Sequence, residues 1–496
     1  MWAKRNGEMM AVKNDRNGLN RCPKCGATDV VLDASSGKLK CSFCRSLFSE
    51  QIENAYGGIE GLKGEIVGEG ATNIIPDEKV ILTLKCPACG AEVVMNADEV
   101  TSARCHWCRH VLSINEKIPN GAVPDLVLPF KLEKREANVK INQFVAKRQF
   151  FAHSKFKKEF KTDNVLGVYL PYVIVDINAH ARLTGEAEHL VRQYTVGSGD
   201  DRETRYDADA YIVGRDFDLL VDDLTVEASA DKLNQDLAKN TNNVINAILP
   251  YDTDQCVGWN PAYLRGFTSE KRDTNIDVLK PLVRLQVEDL ARYRARESMT
   301  FYNRGVKWDK ENVTIGGAKW KAAYLPVWLY SYYQADKKML HYVAVNARTG
   351  ETMGSVPINK ARLLLVSAIV EVIGIFLGTK WLQFWLGAAD SDDSVKVALL
   401  GLAGFTPGFI FYWLKLTKYR NLDKRHVHES ETKSDVKNLK KTDYLVENRK
   451  GLRNARIKGE NGRRVTGVLA RNNKIVEKMR KMGLDDAGLK DAATKK

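Results

Sequence analysis

Eight of the nine cysteines fall into two copies of one spacing, and these are the residues with the clearest chemistry. Each copy reads C-x₂-C, fifteen residues, then C-x₂-C. Two close pairs of thiolates can surround one ion as a tetrahedron, which is the closed site of a structural Zn²⁺. The sequence therefore predicts two structural Zn²⁺ ions, one bound by Cys22, Cys25, Cys41 and Cys44 and the other by Cys86, Cys89, Cys105 and Cys108.

The segments around these cysteines resemble zinc ribbons, predicted at residues 20–50 and 80–115. Each first pair is followed by Gly, in C-P-K-C-G and C-P-A-C-G. Gly permits the tight turn that points backbone N–H groups at sulfur. A redox switch through the cysteine pairs is the weaker alternative. We interpret His106 and His110 as bystanders, because four thiolates already complete the second site, and the ninth cysteine, Cys256, as a buried structural thiol.

Signatures of catalysis are missing from the sequence. It contains no G-x₄-G-K-[ST], no H-E-x-x-H and no G-x-S-x-G. The eight histidines are scattered, and His426-x-His428 is interpreted as a solvated pair. A closed Cys₄ site also leaves no open coordination position for a substrate. We therefore predict that the protein is not an enzyme.

The elements that must position the ribbons form a multidomain chain. We predict a flexible leader (1–19), a Gly-rich linker (51–79) between the ribbons and one α+β domain with β-meanders (125–360). Within that domain, helices are expected at about 131–161, 229–249 and 277–303. Runs rich in Val, Ile and Tyr predict strands after Val165 and again between about 312 and 358. The segment N-A-R-T-G-E is typical of a hairpin turn.

Two strands of this domain share a motif. G-V-Y-L-P-Y (167–172) and A-A-Y-L-P-V (322–327) both place Y-L-P before an apolar run, and each follows a predicted helix. An internal duplication, helix then β-meander, is one explanation, and chance similarity of two core strands is the other.

Two apolar segments follow, at 363–386 and 395–414, separated by the acidic turn A-A-D-S-D-D-S. Each is close to the roughly 20 residues that cross a bilayer as helix. Lys and Arg precede the first segment and follow the second, at the ends away from the acidic turn. By the positive-inside rule, this places both termini in the cytoplasm. We predict a two-helix transmembrane hairpin in the cell membrane, with two buried core helices as the alternative. Glu371, inside the first span, is expected to face lipid or an oligomer interface, and a transport role is the weaker alternative.

The net charge of +14 is concentrated in two segments. From residue 415 to 496 there are 24 Lys and Arg against 11 Asp and Glu, and residues 131–161 have 10 against 3. This distribution predicts a basic cytoplasmic tail (415–496) that contacts anionic lipids, while a solvated tail that only sets topology is the alternative. The first twenty residues hold no apolar run of signal-peptide length, and zinc-bound thiolates favour a reducing compartment.

Taken together, several motifs resemble those of a known family. Tandem C-P-x-C-G ribbons lead into P-F-K-L-E-K (129–134), followed by Y-L-P-Y (169–172), N-P-A-Y-L-R-G-F (260–267) and Y-L-P-V-W (324–328), and then two apolar helices. This arrangement is similar to bacterial membrane-anchored zinc-ribbon proteins of the transcription-factor-IIB type. Some are labelled primosomal helicases or phage replication proteins, a label that the missing ATP-binding motif argues against here.

The resemblance implies a function in the envelope. Similar proteins in Bacilli are encoded beside phage-shock protein A and a flotillin-like (SPFH-domain) protein. We therefore expect a membrane-anchored adaptor that recruits such a protein partner during envelope stress. The alternative is a membrane-tethered nucleic-acid binder that uses the ribbons and the basic tail, and an enzyme or transporter centred on Glu371 is a weaker third.

Overall fold

The computed structural model describes most of the ribbons, the central domain and parts of the C-terminal region. The described residues are 2–5, 8–11, 22–27, 29–33, 35–49, 58–72, 81–89, 91–96, 104–109, 112, 117–118, 124–197, 202–229, 245–272, 274–334, 339–386, 407–420 and 427–453. The described elements are numbered below in chain order.

Four long strands dominate the molecule, and all belong to one 13-stranded sheet. They lie in the antiparallel order β15–β11–β12–β18. Small and β-branched side chains alternate with polar ones along much of their length, which suits a sheet with one covered face. The strands are β11 (Leu166–Val196), β12 (Glu203–Glu227), β15 (Gly305–Gln334) and β18 (Lys433–Arg453).

The two Y-L-P motifs lie directly opposite each other in this sheet. Leu170 of β11 pairs with Leu325 of β15, and each proline pairs with the tyrosine of the other motif. On the outer side of each strand, a short parallel strand ends near the motif and a long antiparallel partner begins after it. The two halves therefore repeat the same local strand arrangement on either side of the Leu170–Leu325 pair, and duplication stays one of the two explanations for it.

Proline is tolerated in these central strands because of where its missing N–H would point. The carbonyl of Pro171 accepts from the N–H of Ala228, and that of Pro326 accepts from Ala347. The N–H and C=O of one strand residue point to the same side. Each proline therefore lacks an N–H donor only on the side of its strand that faces away from the β11–β15 pairing, where the ladder with the outer neighbour ends. The ladder between β11 and β15 keeps its hydrogen bonds.

Short strands complete the sheet and attach the N-terminal half of the chain to it. Ribbon 1 is a separate three-stranded sheet, whereas the strands of ribbon 2 join the main sheet through β14, and β6 joins it beside β15. Outside both sheets, β1 and β2 pair with each other. These strands are β1 (Trp2–Arg5), β2 (Glu8–Ala11), β3 (Val30–Asp33), β4 (Lys38–Cys41), β5 (Leu47–Phe48), β6 (Gly64–Val67), β7 (Ile81–Lys85), β8 (Glu92–Asn96), β9 (Lys117–Ile118), β10 (Leu126–Val127), β13 (Val257–Gly258), β14 (Thr268–Glu270), β16 (Met339–Asn346) and β17 (Thr352–Gly354).

Seven helices are described. The long helix α4 covers the face of the sheet built by β11, β12 and β15, because Leu279, Val283, Val287 and Leu290 recur on one side of it. The helices are α1 (Glu69–Thr72), α2 (Lys134–Ala146), α3 (Ser154–Glu159), α4 (Ile276–Glu297), α5 (Lys360–Leu386), α6 (Pro407–Arg420) and α7 (His428–Glu431).

The structure confirms some predicted elements and corrects others. The strands after Val165, the helix near 277–303 and the hairpin turn before Thr352 are present. The helix predicted over 131–161 is instead two helices, interrupted where Phe151 contacts α6. Of the helix predicted over 229–249, residues 230–244 lie outside the described residues and Ile245–Ile248 form a 3₁₀ turn.

Three segments predicted to be flexible or solvated contain strands. The leader includes the β1–β2 pair, and the linker contributes β6, which runs parallel to β15 because Ile66 and Val67 supply apolar strand residues. The basic tail contributes β18, paired with β12 over most of its length. Most residues of β18 are polar. Arg215 holds this strand in place, because its buried guanidinium donates to Asp443 at 2.5 Å and to Ser298 at 2.8 Å.

Candidate metal centres and their surroundings

The structure brings each predicted set of four cysteines together. In ribbon 1 the Sγ atoms of Cys22 and Cys44 are 3.5 Å apart, as are those of Cys25 and Cys41. In ribbon 2 the corresponding distances, Cys86 to Cys108 and Cys89 to Cys105, are 3.4 and 3.6 Å. Four sulfurs around one Zn²⁺ would lie about 3.8 Å apart, given a Zn–S bond of about 2.3 Å. Each cluster therefore has the donors and the spacing to hold one metal ion.

The backbone turns at the two clusters explain the spacing. Gly26, after the first pair of ribbon 1, has φ +74°. The residue after each second pair is also left-handed, with φ +57° at Arg45 and +63° at Arg109. Their N–H groups donate to the carbonyls of Cys41 and Cys105. The glycine was predicted from the sequence, but the arginines were missed, because no residue type at these positions announces a left-handed turn.

Ser46 of ribbon 1 contacts two of the cysteine sulfurs, and the sequence did not predict this contact. Its Oγ lies 3.1 Å from the Sγ of Cys22 and 3.0 Å from that of Cys44. The hydrogen bond from Ser46 is the main reason why the pKa of Cys22 is lowered from 9.0 to about 6. The pKa of Cys44 is lowered as well, again chiefly by Ser46. The hydroxyl thus favours the thiolate form, which is the form that binds metal.

Replacing Ser46 with Ala should weaken metal binding in ribbon 1 and leave ribbon 2 unchanged. Because the pKa of Cys22 is depressed, its thiolate is fully favoured above about pH 9 and is lost as pH falls through about 6. Without the hydroxyl the thiol pKa rises, so ribbon 1 should release Zn²⁺ at a higher pH. We expect an affinity loss of about 10- to 100-fold, the usual effect of a removed ligand partner. Zn²⁺ release during acid titration measures this, and Ser42→Ala is the control.

The two ribbons treat equivalent aromatic residues differently. Trp107, between the second cysteines of ribbon 2, is 7% exposed and packs edge-on against Tyr342 at 5.5 Å. The Ser331 hydroxyl donates to the His106 carbonyl at 2.6 Å, and Arg109 lies over the Tyr330 ring at 4.7 Å. The residue of ribbon 1 that matches Trp107 is Phe43, which is 82% exposed. In each ribbon, the turn that holds the second pair of cysteines forms a knuckle. The knuckle of ribbon 2 packs against the central domain, and the knuckle of ribbon 1 is exposed to solvent.

The N-P-A-Y-L-R-G-F motif connects both ribbons to the central domain. Arg265 donates to the Asp29 carboxylate and to the Val30 carbonyl of ribbon 1, both at 3.1 Å. Directly after the motif, β14 pairs with β8 of ribbon 2 on one side and with β11 on the other. Asn260 starts this segment and accepts from the Ala262 N–H at 3.0 Å. The motif therefore fixes the ribbons in place, a role that its sequence did not indicate.

Other titratable residues have structural surroundings. Burial raises the pKa of the Cys256 thiol well above its usual range, which agrees with an inert thiol. The prediction of a solvated pair at His426 and His428 is wrong for His428, which is buried, with Asp289 at 3.6 Å and Glu429 at 3.8 Å. His426 lies outside the described residues. His106 is buried in the ribbon 2 interface, and His110 is also outside the described part of the chain.

Only one helix within the described residues is long and apolar enough to cross a membrane. It covers Lys360–Trp381, and 17% of its apolar window is buried against the rest of the chain. The hairpin of two spanning helices is therefore reproduced only in part. Residues 395–406 of the second predicted span lie outside the described residues, and the rest belongs to α6, whose 14 residues are by themselves shorter than the roughly 20 needed.

Glu371 contacts α6 within the same chain. Its Oε2 accepts a hydrogen bond from the backbone N–H of Gly408 at 2.7 Å, at the first turn of α6. The sequence did not predict this contact: Glu371 is half-buried and accepts a hydrogen bond from the neighbouring helix of its own chain.

Protein-family models, curated proteins and solved structures include no match to this chain. No relative therefore supplies a role for the two clusters, for Phe43 or for Glu371.

Proposed function

We propose that this protein is a membrane-anchored adaptor without enzymatic activity. Two structural Zn²⁺ ions hold its ribbons, α5 and α6 anchor it in the cell membrane as a hairpin with both termini in the cytoplasm, and ribbon 1 binds a cytoplasmic protein. The motif resemblance suggests a flotillin-like (SPFH) or phage-shock partner and a role in envelope stress. The observation that carries the proposal is the exposure of Phe43 beside the burial of its counterpart Trp107.

The helical arm, formed by α5 and α6, has the surface expected of a lipid-facing hairpin. Its large apolar side chains are exposed around α5 and α6, where a core helix would bury at least one side. Glu371, the one acidic residue of α5 and α6 as described, is half-buried and accepts a hydrogen bond from Gly408 between the helices. The exposed apolar residues are Leu364, Leu365, Ile369, Val372, Ile373, Phe376, Leu377, Phe384, Phe409, Ile410, Trp413 and Leu414.

The ribbon surface supports protein binding. Phe43 projects from the knuckle, and Val31 and Leu47 of the same ribbon are also exposed. Aromatic anchors near the centre of an interface commonly contribute most of its binding energy. A closed Cys₄ site contributes rigidity to such a surface and needs no open coordination position. Ribbon 2 packs on the central domain through the same position, which supports the use of this position of ribbon 1 as a docking surface.

The test is capture of partners from native membranes by the full chain and by Phe43→Ala. We expect the exchange to abolish near-stoichiometric, nuclease-resistant capture of a flotillin-like or phage-shock protein, while two Zn²⁺ ions and membrane residence are kept. Phe301→Ala removes another exposed aromatic residue and serves as the control. Unchanged capture by Phe43→Ala would reject ribbon 1 as the binding surface.

A second function is favoured by the basic residues near Phe43. Lys24, Lys40 and Arg45 belong to the same ribbon, and aromatic side chains flanked by positive charge bind single-stranded nucleic acids. Against this, Trp107 and Arg109 of ribbon 2 are engaged with Tyr342 and Tyr330 and are withdrawn from such a role. Nuclease-sensitive cargo whose binding falls steeply with salt would select this function.

A further inference from the structure

The outermost long strand, β18, has an open edge. In the described part of the chain it pairs with β12 alone, although it has 21 residues. Most of its residues are exposed, including Tyr444 at 65% and its neighbours Leu445 and Val446. A long exposed edge carries a row of backbone donors and acceptors able to pair with another strand.

The charges of β18 are complementary to themselves in one antiparallel register. When two copies pair with Thr442 opposite Thr442, Asp435 faces Arg449, Lys437 faces Glu447, and Lys441 faces Asp443. Leu439 then faces Leu445. The remaining pairs in this register include Lys440 with Tyr444 and Ser434 with Lys450, and no like charges are directly opposite. Opposite charges on facing strands stabilise a sheet, and like charges destabilise it.

Neighbouring registers lack this match. A shift of the centre to Asp443 places that residue against its own copy and Lys437 against Arg449. A shift to Lys441 pairs that lysine with itself and Asp435 with Glu447. The charge pattern therefore selects one register and disfavours those nearest to it.

Two of the three irregularities of β18 follow the same symmetry, and the third, where Lys450 and Gly451 oppose Asp207, lies beyond the complementary pairs near the end of the strand. Asn438, with φ +54°, lies in a bulge where two residues oppose one on β12, and a second register shift leaves Val446 without an opposite residue. Both positions are four residues from Thr442. Each bulge moves the following side chains to the other face of the strand. Because the two bulges coincide across the pair, facing residues stay on the same face.

The register of β18 with β12 shows on which face of the sheet each of these side chains lies. Asp435, Lys437, Glu447 and Arg449 all lie opposite even-numbered residues of β12, whereas Lys441, Asp443 and Leu445 lie opposite odd-numbered ones. Each complementary pair thus joins two side chains of one face.

From this symmetry we propose that two copies of the protein pair through β18, antiparallel and centred on Thr442, so that their sheets become continuous. The occupant of the open edge is a second copy, because the charges of β18 complement each other in the register centred on Thr442 and place like charges opposite each other in the registers centred on Lys441 and Asp443. The inference is independent of the adaptor function. A dimer would present two copies of ribbon 1, which raises the apparent affinity for a partner that is itself multimeric.

The first test is disulfide formation by Thr442→Cys in the full-length, zinc-loaded protein in detergent micelles and in nanodiscs. Only this position faces its own copy across the axis, so its Cβ atoms should lie about 4.5–5.5 Å apart. We expect nearly complete covalent dimer under mild oxidation. Asn448→Cys is the control, because in this register it faces Val436. Equal cross-linking of the two variants, or of neither, would overturn the proposal.

The second test reverses the exposed pair Lys437 and Glu447. Lys437→Glu or Glu447→Lys places two like-charged pairs in the symmetric interface and should weaken the dimer at least about tenfold. The double exchange restores opposite charges and should restore the dimer. Mass measurement by light scattering over a dilution series reads out all four proteins. A wild-type monomer throughout, or a dimer indifferent to the single exchanges, would refute the β18 interface.

Discussion

Replacing Cys41 with Ser should reduce the metal content from two ions per chain to one and unfold ribbon 1. Cys41 is fully buried, and its Sγ lies 3.5 Å from that of Cys25. Structural Zn²⁺ in small ribbons contributes about 10–16 kcal/mol of apparent binding energy, and three ligands retain only part of it. A sheet as small as β3–β5 has few other interactions to hold it. Metal analysis of the purified protein and limited proteolysis measure the two effects.

The control for this experiment is Cys256→Ser, which removes a thiol outside both clusters and should keep two ions. Cys105→Ser gives an informative comparison. Ribbon 2 is continuous with the main sheet through β8 and β14, and Trp107 and Arg109 pack on the central domain. Loss of its metal should therefore lower the stability of the central domain too. Two ions per chain in Cys41→Ser would contradict the assigned ligand set.

Gly408→Leu should separate α5 from α6. A Cβ at Gly408 would come within 2.7 Å of both the Cβ and the Oε2 of Glu371, and closer still to the Ser367 carbonyl. The helices must move apart, which also removes the hydrogen bond between Gly408 and Glu371. Overpacking of this kind costs about 1–3 kcal/mol, and the unpaired carboxylate adds to it. The midpoint of thermal unfolding in detergent should fall by several degrees, as about 1 kcal/mol shifts it by a few degrees.

Phe409→Leu is the matched control, because Phe409 is the next residue of α6 and its side chain is exposed. It should leave the midpoint nearly unchanged. Glu371→Gln tests the charge of the carboxylate without the steric effect, because the amide oxygen can still accept from the Gly408 N–H. A midpoint for Gly408→Leu equal to that of the control would show that α5 and α6 do not pack through Gly408 in solution.

The sequence predicted the metal clusters because four thiolates at fixed spacing leave little freedom. It could not separate the exposed Phe43 from the buried Trp107, because both occupy the same place in the same motif. That difference arises from Tyr330 and Tyr342, more than 200 residues further along the chain. The partner of Glu371 was missed for another reason: a backbone N–H is present at almost every residue and leaves no trace in side-chain patterns.

The strand β18 was missed because its residues suggest a solvated tail. Charged and polar residues make up most of it, and its apolar residues are few. Its position depends on tertiary contacts, above all on Arg215, whose buried guanidinium needs the Asp443 carboxylate. The duplicated Y-L-P motif was visible in the sequence, but its antiparallel pairing was not. Similar strands can pair in several ways, and only the fold selects one.

Among the described residues, hydrogen bonds attach the base of the helical arm to the central domain. The Val356 N–H donates to the Tyr419 carbonyl at 3.0 Å, and the Phe151 N–H donates to the Tyr419 hydroxyl at 2.8 Å. Leu363 and Tyr419 share one core cluster with Val30 and Leu39 of ribbon 1. In the proposed membrane arrangement, a bilayer that thins or thickens changes the tilt of such helices. Ribbon 1 would then rotate together with the helices. In the proposed adaptor, the thickness of the bilayer would therefore set the angle at which Phe43 faces the cytoplasm.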